Sequence, residues 1–391
     1  MNNIPHVALL IETTRSYGRG LLLGVRRFIA EHGPWSVFVE ARSLDSMAPP
    51  WLKNWKGDGI LTRSGSQRML DAVTQCNVPT VELRSIQLKH NFPFVGVDNR
   101  LLGRKVAEHF LDRGFRHFGV YQLDNEDYFK QRCDVFVQTL SMAGHKVEIY
   151  RAQRHPEHPV KWERQQDRLV QWITQLPKPV GLMASNDQLG FWLLDACSRA
   201  GFAVPEHVAV VGVENDETLC SMSRPPLSSV PFNSELTGYE AASLLSRMMN
   251  GQAAPKKPIL IPPLEMVTRQ SSDVVAIDDQ KIAAALGYIR QHACEGIDVS
   301  DVLRAVPISR TSLERRMRLL IGRSPKAEIS RIRIKTVRTL LAESDLTLSE
   351  IAERTGFSYP QHMCSSFHRE FGQTPGQYRR QTKKAPFLNV D

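Results

Sequence analysis

VSDVLRAVPISRTSLERRMRLL, Val299 to Leu320, and LSEIAERTGFSYPQHMCSSFHREF, Leu348 to Phe371, decide the fold of the C-terminal quarter of this 391-residue chain. In the first stretch Val299, Val302, Leu303 and Val306 recur at helical spacing. Pro307 stops that helix, and Ser309 can cap a second one carrying Leu313, Met317 and Leu320. The second helix turns Arg310, Thr311, Glu314, Arg315 and Arg318 outward. The other stretch repeats the plan with Leu348, Ile351 and Ala352 as one apolar stripe. Gly356 ends its first helix where a tight turn needs positive φ, and Ser358 is placed to cap a helix packed through Met363, Phe367 and Phe371. One such pair is an ordinary helical hairpin, but two in tandem with basic or polar outer faces read as helix-turn-helix units for double-stranded DNA. Between them Ile329, Ile332, Val337, Leu340 and Leu341 mark one face of a continuous helix from Ala327 to Glu343, about 25 Å long at about 1.5 Å per residue. A rod of that size would hold two recognition helices roughly one DNA turn, about 34 Å, apart.

Charge points to the same segment. The chain has 50 Lys and Arg against 41 Asp and Glu, a net +9. From Lys281 to Asp391 there are 19 basic and 11 acidic residues, an excess of eight, so nearly all the net positive charge lies there. Phosphate contacts need such cations.

These C-terminal residues resemble the AraC/XylS family of transcription regulators. The motifs are Val299-Ser300-Asp301-Val302-Leu303 with Ser309 to Arg316, then Leu348-Ser349-Glu350-Ile351-Ala352, Gly356-Phe357, and Phe367 to Pro375 closing at Tyr378-Arg379. The closing Phe-x3-Phe-Gly-x-Thr-Pro-x3-Tyr-Arg run is the most specific of them. The resemblance implies Thr311, Glu314 and Arg315, beside Arg310, for one major-groove segment, and Gln361, His362 and Ser365 for the next. Arg315 suits guanine, Gln361 adenine and Glu314 a cytosine amine. Ser365 departs from the Arg often found there, which implies weaker base reading by the second helix.

The preceding 280 or so residues are too long and apolar for a linker. Pro5 to Ile11 reads as a buried parallel strand and Gly20 to Ala30 as the helix after it. Strand and helix patterns then alternate through Trp35 to Glu40, Gly59 to Leu61, Met69 to Cys76, Pro79 to Leu83 and Phe94 to Asp98, the last preceding a helix through Leu111. They restart at His117 to Gln122 and run through Cys133 to Ala143, Lys146 to Tyr150, Arg164 to Gln175, Pro179 to Ala184, Leu189 to Ala200 and Val208 to Val213, with a last strand at Ile259 to Thr268. Such alternation predicts an α/β architecture of doubly wound parallel sheets in two lobes, followed by an all-α tandem helix-turn-helix domain. Ligands in such sheets bind beyond the carboxyl ends of the strands.

Over roughly residues 5 to 270 the chain resembles the periplasmic-binding-protein-like sensors of the LacI/GalR type. The match is dense in Val97-Asp98-Asn99 through Asp112-Arg113-Gly114, in Ala184-Ser185-Asn186-Asp187-Gln188-x-Gly190, in Gly201 to Val213 and in Pro226-Leu227-Ser228-Ser229-Val230. LacI-type repressors carry their DNA-binding domain at the other end; a LacI-like sensor followed by an AraC-type reader is the plan of a group of bacterial pentose-operon activators. That plan implies a cytoplasmic, sugar-responsive regulator with no cofactor, its effector a small sugar, D-xylose foremost, its partners operator DNA, RNA polymerase and a second copy of itself. It also implies a pocket of Tyr17, Arg19, Arg132, Asn186, Asp187, Glu214, Asn215 and Phe232. Carboxylates and Arg suit a polyol because each can bind neighbouring hydroxyls in a fork, and an aromatic ring can face its C–H groups. Glu214 stands where such sensors often have Asp, and its extra methylene reaches deeper. The expected domains are 1–272 for the sensor, 273–280 for a linker, 281–384 for the reader and 385–391 for a tail.

A competing reading takes Gly18-x-Gly20-x3-Gly24 after the first strand, with Glu40 about twenty residues on, as a dinucleotide fingerprint and the protein as a nicotinamide-binding redox sensor or enzyme. The third glycine falls one place late, and no second nucleotide half follows. Six cysteines without a C-x2-C pair argue against zinc and disulfide frameworks. His155-Pro156-Glu157-His158-Pro159 is a poor metal site, since two prolines force a loop and no third ligand cluster follows. Met1 to Pro5 lacks the parts of a signal peptide, and no apolar run reaches about 18 residues, so export and membrane insertion are not expected. No nucleophile elbow, P-loop or metalloprotease helix appears, and no catalysis is expected.

Overall fold

The computed structural model describes residues 4–43, 46–84, 88–123, 127–152, 159–274 and 279–383. The His155–Pro159 segment up to His158, part of the expected linker and the 385–391 tail lie outside them. The chain divides into two compact units, one of residues up to Phe202 with Val208–Asp273, the other of Ala203–His207 with Val274 onward.

The first unit alternates strands and helices as its sequence predicts. Its elements are β1 (His6–Leu10), α1 (Ser16–His32), β2 (Ser36–Val39), β3 (Gly59–Thr62), α2 (Gln67–Thr74), β4 (Thr80–Glu82), β5 (Val95–Val97), α3 (Asn99–Leu111), β6 (His117–Leu123), α4 (Asp127–Met142), β7 (Val147–Ala152), α5 (Pro159–Gln175), β8 (Val180–Ala184), α6 (Asp187–Arg199), β9 (Val208–Glu214), α7 (Glu217–Met222), β10 (Ser228–Pro231), α8 (Ser234–Met249) and β11 (Ile259–Ile261). Every pair of named strands is parallel. One sheet has the order β2-β1-β3-β4 and the other β10-β9-β8-β6-β7, while β11 pairs β5. A bridge from Glu82 to Phe94 carries the first sheet on to β5. The central strands β1, β8 and β9 are buried almost end to end, which is why they read as continuous apolar runs.

The last strand differs from expectation. Ile259 to Thr268 is not one strand: β11 ends at Ile261, and Val267 instead bridges Ser229 in the other sheet. Pro262 and Pro263 supply no N–H for a ladder, so the chain leaves the first sheet there and re-pairs in the second. Two glycines of the supposed fingerprint pack helices. A Cβ on Gly20 would lie 2.0 Å from Ser234 Oγ, and one on Gly24 2.0 Å from the Glu235 carbonyl, so they let α1 lie against the start of α8.

The second unit holds α9 (Gln280–His292), α10 (Val299–Ala305), α11 (Arg310–Ile321), α12 (Pro325–Glu343), α13 (Leu348–Arg354), α14 (Pro360–Phe371) and α15 (Pro375–Lys383). Asp298 and Asp301 form a capping box on α10, and Ser309 Oγ accepts from Ser312 N at the start of α11. Gly356 has φ 70°, as a tight turn between α13 and α14 requires. Ser358 does not cap α14, contrary to the sequence reading. Tyr359 occupies the cap without a side-chain bond, and Pro360 opens the helix with its preset φ. Leu320 is exposed, its place in the core taken by Ile321, because Leu313, Met317 and Ile321 follow a spacing of four.

Helix α12 is shared by two cores. Ile329 and Ile332 pack with α9, α10 and α11, whereas Ile334, Val337 and Leu341 pack with α13 and α14. The unit also takes in Ala203–His207, the link between α6 and β9. There Arg290 Nε donates to buried Glu206 Oε1 at 2.7 Å, and the Ala203 methyl lies over Gly287. The sequence reading placed these five residues with the sensor alone.

Candidate effector pocket and nucleic-acid interface

The carboxyl ends of the strands of the first unit open onto a cleft. Glu12, Arg15 and Tyr17 reach it from the exit of β1 and the first turn of α1. Arg63 follows β3, Leu83 and Arg84 follow β4, and Phe94, Val97 and Asn99 flank β5 and open α3. Tyr128 and Arg132 come from α4, Glu214 from the end of β9 and Phe232 from just beyond β10.

Arg132 is the best-held group in the cleft. Its Nε and Nη2 donate to Asn99 Oδ1 at 3.1 and 2.9 Å, and Nη1 donates to the Ser185 carbonyl at 2.5 Å. The rings of Tyr128, Phe129 and Phe232 lie 5.2, 5.3 and 5.4 Å from its guanidinium carbon. Burial lowers its pKa, opposed by the Glu214 carboxylate. The same burial raises the pKa of Glu214, against the pull of Arg132. Across the cleft Arg63 pairs with buried Glu12 and stands 4.7 Å over the Tyr17 ring, which meets Phe232 edge-on at 5.1 Å. Desolvation works against the charge of Arg63, but Glu12, Tyr17 and the other acidic groups outweigh it and leave its pKa raised. Glu214 and Asn215 both hold positive φ, 108° and 53°, a sharp backbone corner that turns the Glu214 carboxylate inward.

Of the residues expected in the pocket, the structure therefore brings Tyr17, Arg132, Glu214 and Phe232 together. It places the other four outside the lining. Arg19 is exposed and donates to the Thr13 carbonyl. Asn186 caps α6 by accepting from Leu189 N. Asp187 accepts from Asp216 N at 2.7 Å and from Ser229 Oγ at 2.6 Å, and burial, then the nearby Glu214, pushes its carboxyl up to about 8. Asn215 accepts from Arg269 Nη1 at 2.8 Å and donates its N–H to Ser229 Oγ. Two of these four, Asp187 and Asn215, brace the corner that presents Glu214, a role that short polar side chains at strand ends commonly take. Sequence reasoning missed Glu12, Arg15, Arg63, Arg84, Asn99 and Tyr128. A usable signal was their position, since Glu12, Arg63 and Arg84 each come within two residues of a parallel strand's end.

In the second unit Arg310, Thr311 and Arg315 are exposed on α11 and Glu314 is half-buried there; Gln361, His362 and Ser365 are exposed on α14. Glu314 pairs with Arg310 at 3.4 Å, a surface contact weak enough to yield to a base. The apolar faces of α11 and α14 are buried, in Leu313 and Met317 and in Met363 and Phe367, so only the polar faces can enter a groove. At about 1.5 Å per residue the 19 residues of α12 span about 28 Å between the two helix-turn-helix units.

Residues 107–272 match the periplasmic binding protein-like domain family, and residues 302–381 match a helix-turn-helix domain family. The chain is 30% identical over 381 residues to the xylose operon regulatory protein of Escherichia coli (strain K12), covering 95% of this chain and 96% of that one. It is 29% identical, over 95% of this chain and 97% of the relative, to the protein of the same name in Haemophilus influenzae. A solved structure of a xylose-binding transcription activator superposes with a TM-score of 0.82 at 29% identity, covering 97% of this chain and 99% of that one.

Proposed function

The chain belongs to the family of xylose operon regulatory proteins, and from that premise we propose that it is a sugar-responsive activator of pentose catabolic genes, D-xylose being the first effector to test. The observation that carries this is the cleft of Arg132, Glu214, Tyr17 and Phe232 in the same chain as two helix-turn-helix units. Arg132 donates to hydroxyl oxygens, Glu214 accepts from hydroxyl protons, and Phe232 covers a C–H face of the ring. A site built from such groups rejects analogues that leave its buried polar atoms unpaired. Arg310, Thr311, Glu314 and Arg315 read one major-groove segment and Gln361, His362 and Ser365 the next. The protein works as a cytoplasmic homodimer that contacts RNA polymerase and catalyses nothing, with a sensor of residues 1–272, a linker of 273–280 and a reader of 281–384.

Coupling has a covalent route. The carboxyl end of β9 carries Glu214 and the amino end of α6 carries Asp187, which braces it, while the opposite ends of these two elements are joined by the link that contains Ala203–His207. Sugar that shifts β9 and α6 thereby pulls on a segment anchored in the helical unit by Glu206 and Arg290. Such a shift regulates only if the sugar-bound form binds DNA, a partner subunit or polymerase differently.

The test is an operator gel shift titrated with D-xylose, L-arabinose, D-ribose and D-glucose, on the parent chain and on Arg132→Ala. The expected outcome is an operator affinity that responds to a pentose in the parent, and a variant with unchanged sugar-free DNA binding and no response. The same affinity with and without every sugar would sink the coupling.

A further inference from the structure

An open groove runs between α12 and α14 within the helical unit, and its occupant can be argued from the DNA-reading assignment of that unit, on which this inference rests. Lys326, Ser330 and Arg331 of α12 line one side, and Ser366, Arg369 and Glu370 of α14 the other. Arg369 follows Ser365 by four residues and Gln361 by eight. At about 3.6 residues per turn it therefore shares a face of α14 with these two expected base readers, one turn nearer the carboxyl end. The groove begins at the edge of the reading face, not on the back of the helix.

Lys326 and Arg369 are exposed, and neither makes a hydrogen bond or an ion pair among the described residues. The acids nearby are engaged elsewhere: buried Glu328 pairs with Arg331 at 2.8 Å and with Arg323 at 2.5 Å, and Glu314 pairs with Arg310. Helix stability accounts for Arg369, since it lies in the last turn of α14, where a cation favours the helix dipole. It does not account for Lys326, the second residue of α12, where the same dipole disfavours a cation. The reading faces also differ: α11 presents Arg310 and Arg315, whereas Gln361, His362 and Ser365 of α14 include no Arg or Lys. A helix seated in a major groove is held in register by contacts to phosphates, which carry no sequence information. Base edges meet the amino-terminal residues of such a helix. A cation one turn beyond them, with a second from the neighbouring helix, stands where the phosphates of the groove rim pass.

We propose that the α12–α14 groove is a phosphate clamp. Lys326 and Arg369 grip one strand of duplex backbone at the rim of the major-groove segment that α14 reads, with the Ser330 hydroxyl as a neutral donor beside them. The second helix-turn-helix unit is thus held on DNA by charge supplied outside its base-reading positions, and Glu370 in the same groove opposes that grip.

Fluorescence anisotropy of the full chain and its variants tests this on two duplexes, one of mixed sequence and one selected by the parent chain from a random pool, between about 50 and 200 mM salt. Lys326→Gln and Arg369→Gln should each reduce the steepness of log affinity against log salt by about one. Each should weaken binding to both duplexes by the same factor, about five- to ten-fold at about 0.1 M salt. The double variant should lose about two from the steepness. Glu370→Gln should bind both duplexes more tightly than the parent, a gain that misfolding does not produce. Single-variant slopes equal to the parent's would overturn the proposal and leave the DNA-reading assignment standing. A variant that keeps the slope and loses only its preference for the selected duplex would also overturn it, because that behaviour marks a base contact. A parent chain that binds neither duplex would remove the assignment and the proposal together.

Discussion

Asp187 carries one of the clearest local signatures in the sequence, Ser185-Asn186-Asp187, yet its side chain turns away from the cleft and into the frame. Burial moves its carboxyl from 3.8 to about 8. In the folded chain it therefore stays protonated over a range in which the unfolded chain ionises. Its contribution to stability is full below about pH 4 and is lost as the pH rises to about 8. Asp187→Asn, which cannot ionise, should show a smaller fall in denaturation midpoint between pH 5 and pH 8 than the parent. Chemical denaturation at the two pH values checks this, and an unchanged slope would mean that Asp187 is ionised throughout. At this scale residue types were legible and their directions were not. Asn186 and Asp187 mark a strand-to-helix turn beside the cleft, but whether a short polar side chain caps the helix or faces the cleft depends on which backbone N–H groups come within reach. Glu12, Arg63 and Arg84 carry no motif at all, and they matter because three parallel strands end side by side.

Among the elements, α12 and the Ala203–His207 link connect most. The apolar stripe of α12 was legible from spacing, and the structure adds that it serves two cores in succession. The link was not legible as part of the helical unit, because Glu206 and Arg290 lie 84 residues apart in sequence and nothing local pairs them. Glu206 has 1% of its side chain exposed, so removing its partner leaves a buried carboxylate without its ion pair. Arg290→Ala should lower the stability of the helical unit by about 3 to 5 kcal/mol. Denaturant unfolding followed by far-UV circular dichroism measures this. A loss below about 1 kcal/mol, the size expected of a surface pair, would show that the contact is solvated.

Over the whole molecule the net positive charge is concentrated in the helical C-terminal part, whose basic residues exceed its acidic ones by eight from Lys281 onward. If the two helix-turn-helix units together contact about 6 to 10 phosphates, operator affinity should fall about 10³- to 10⁵-fold between about 50 and 200 mM salt. Gel shifts across that range give the number of contacts as a slope. A slope equivalent to only two or three phosphates would mean that a single helix-turn-helix unit engages DNA.

Periodicity, glycine and proline punctuation and charge, all local properties of the chain, determined the order of strands and helices, the tandem helix-turn-helix plan and the part of the chain that carries the net positive charge. Only the tertiary structure decided which side chains share the cleft, that the last strand is divided between two sheets and that five residues of the α6–β9 link belong with the helical unit. Each of these depends on groups brought together from distant positions by sheet register and helix packing, and distance along the chain does not encode that meeting.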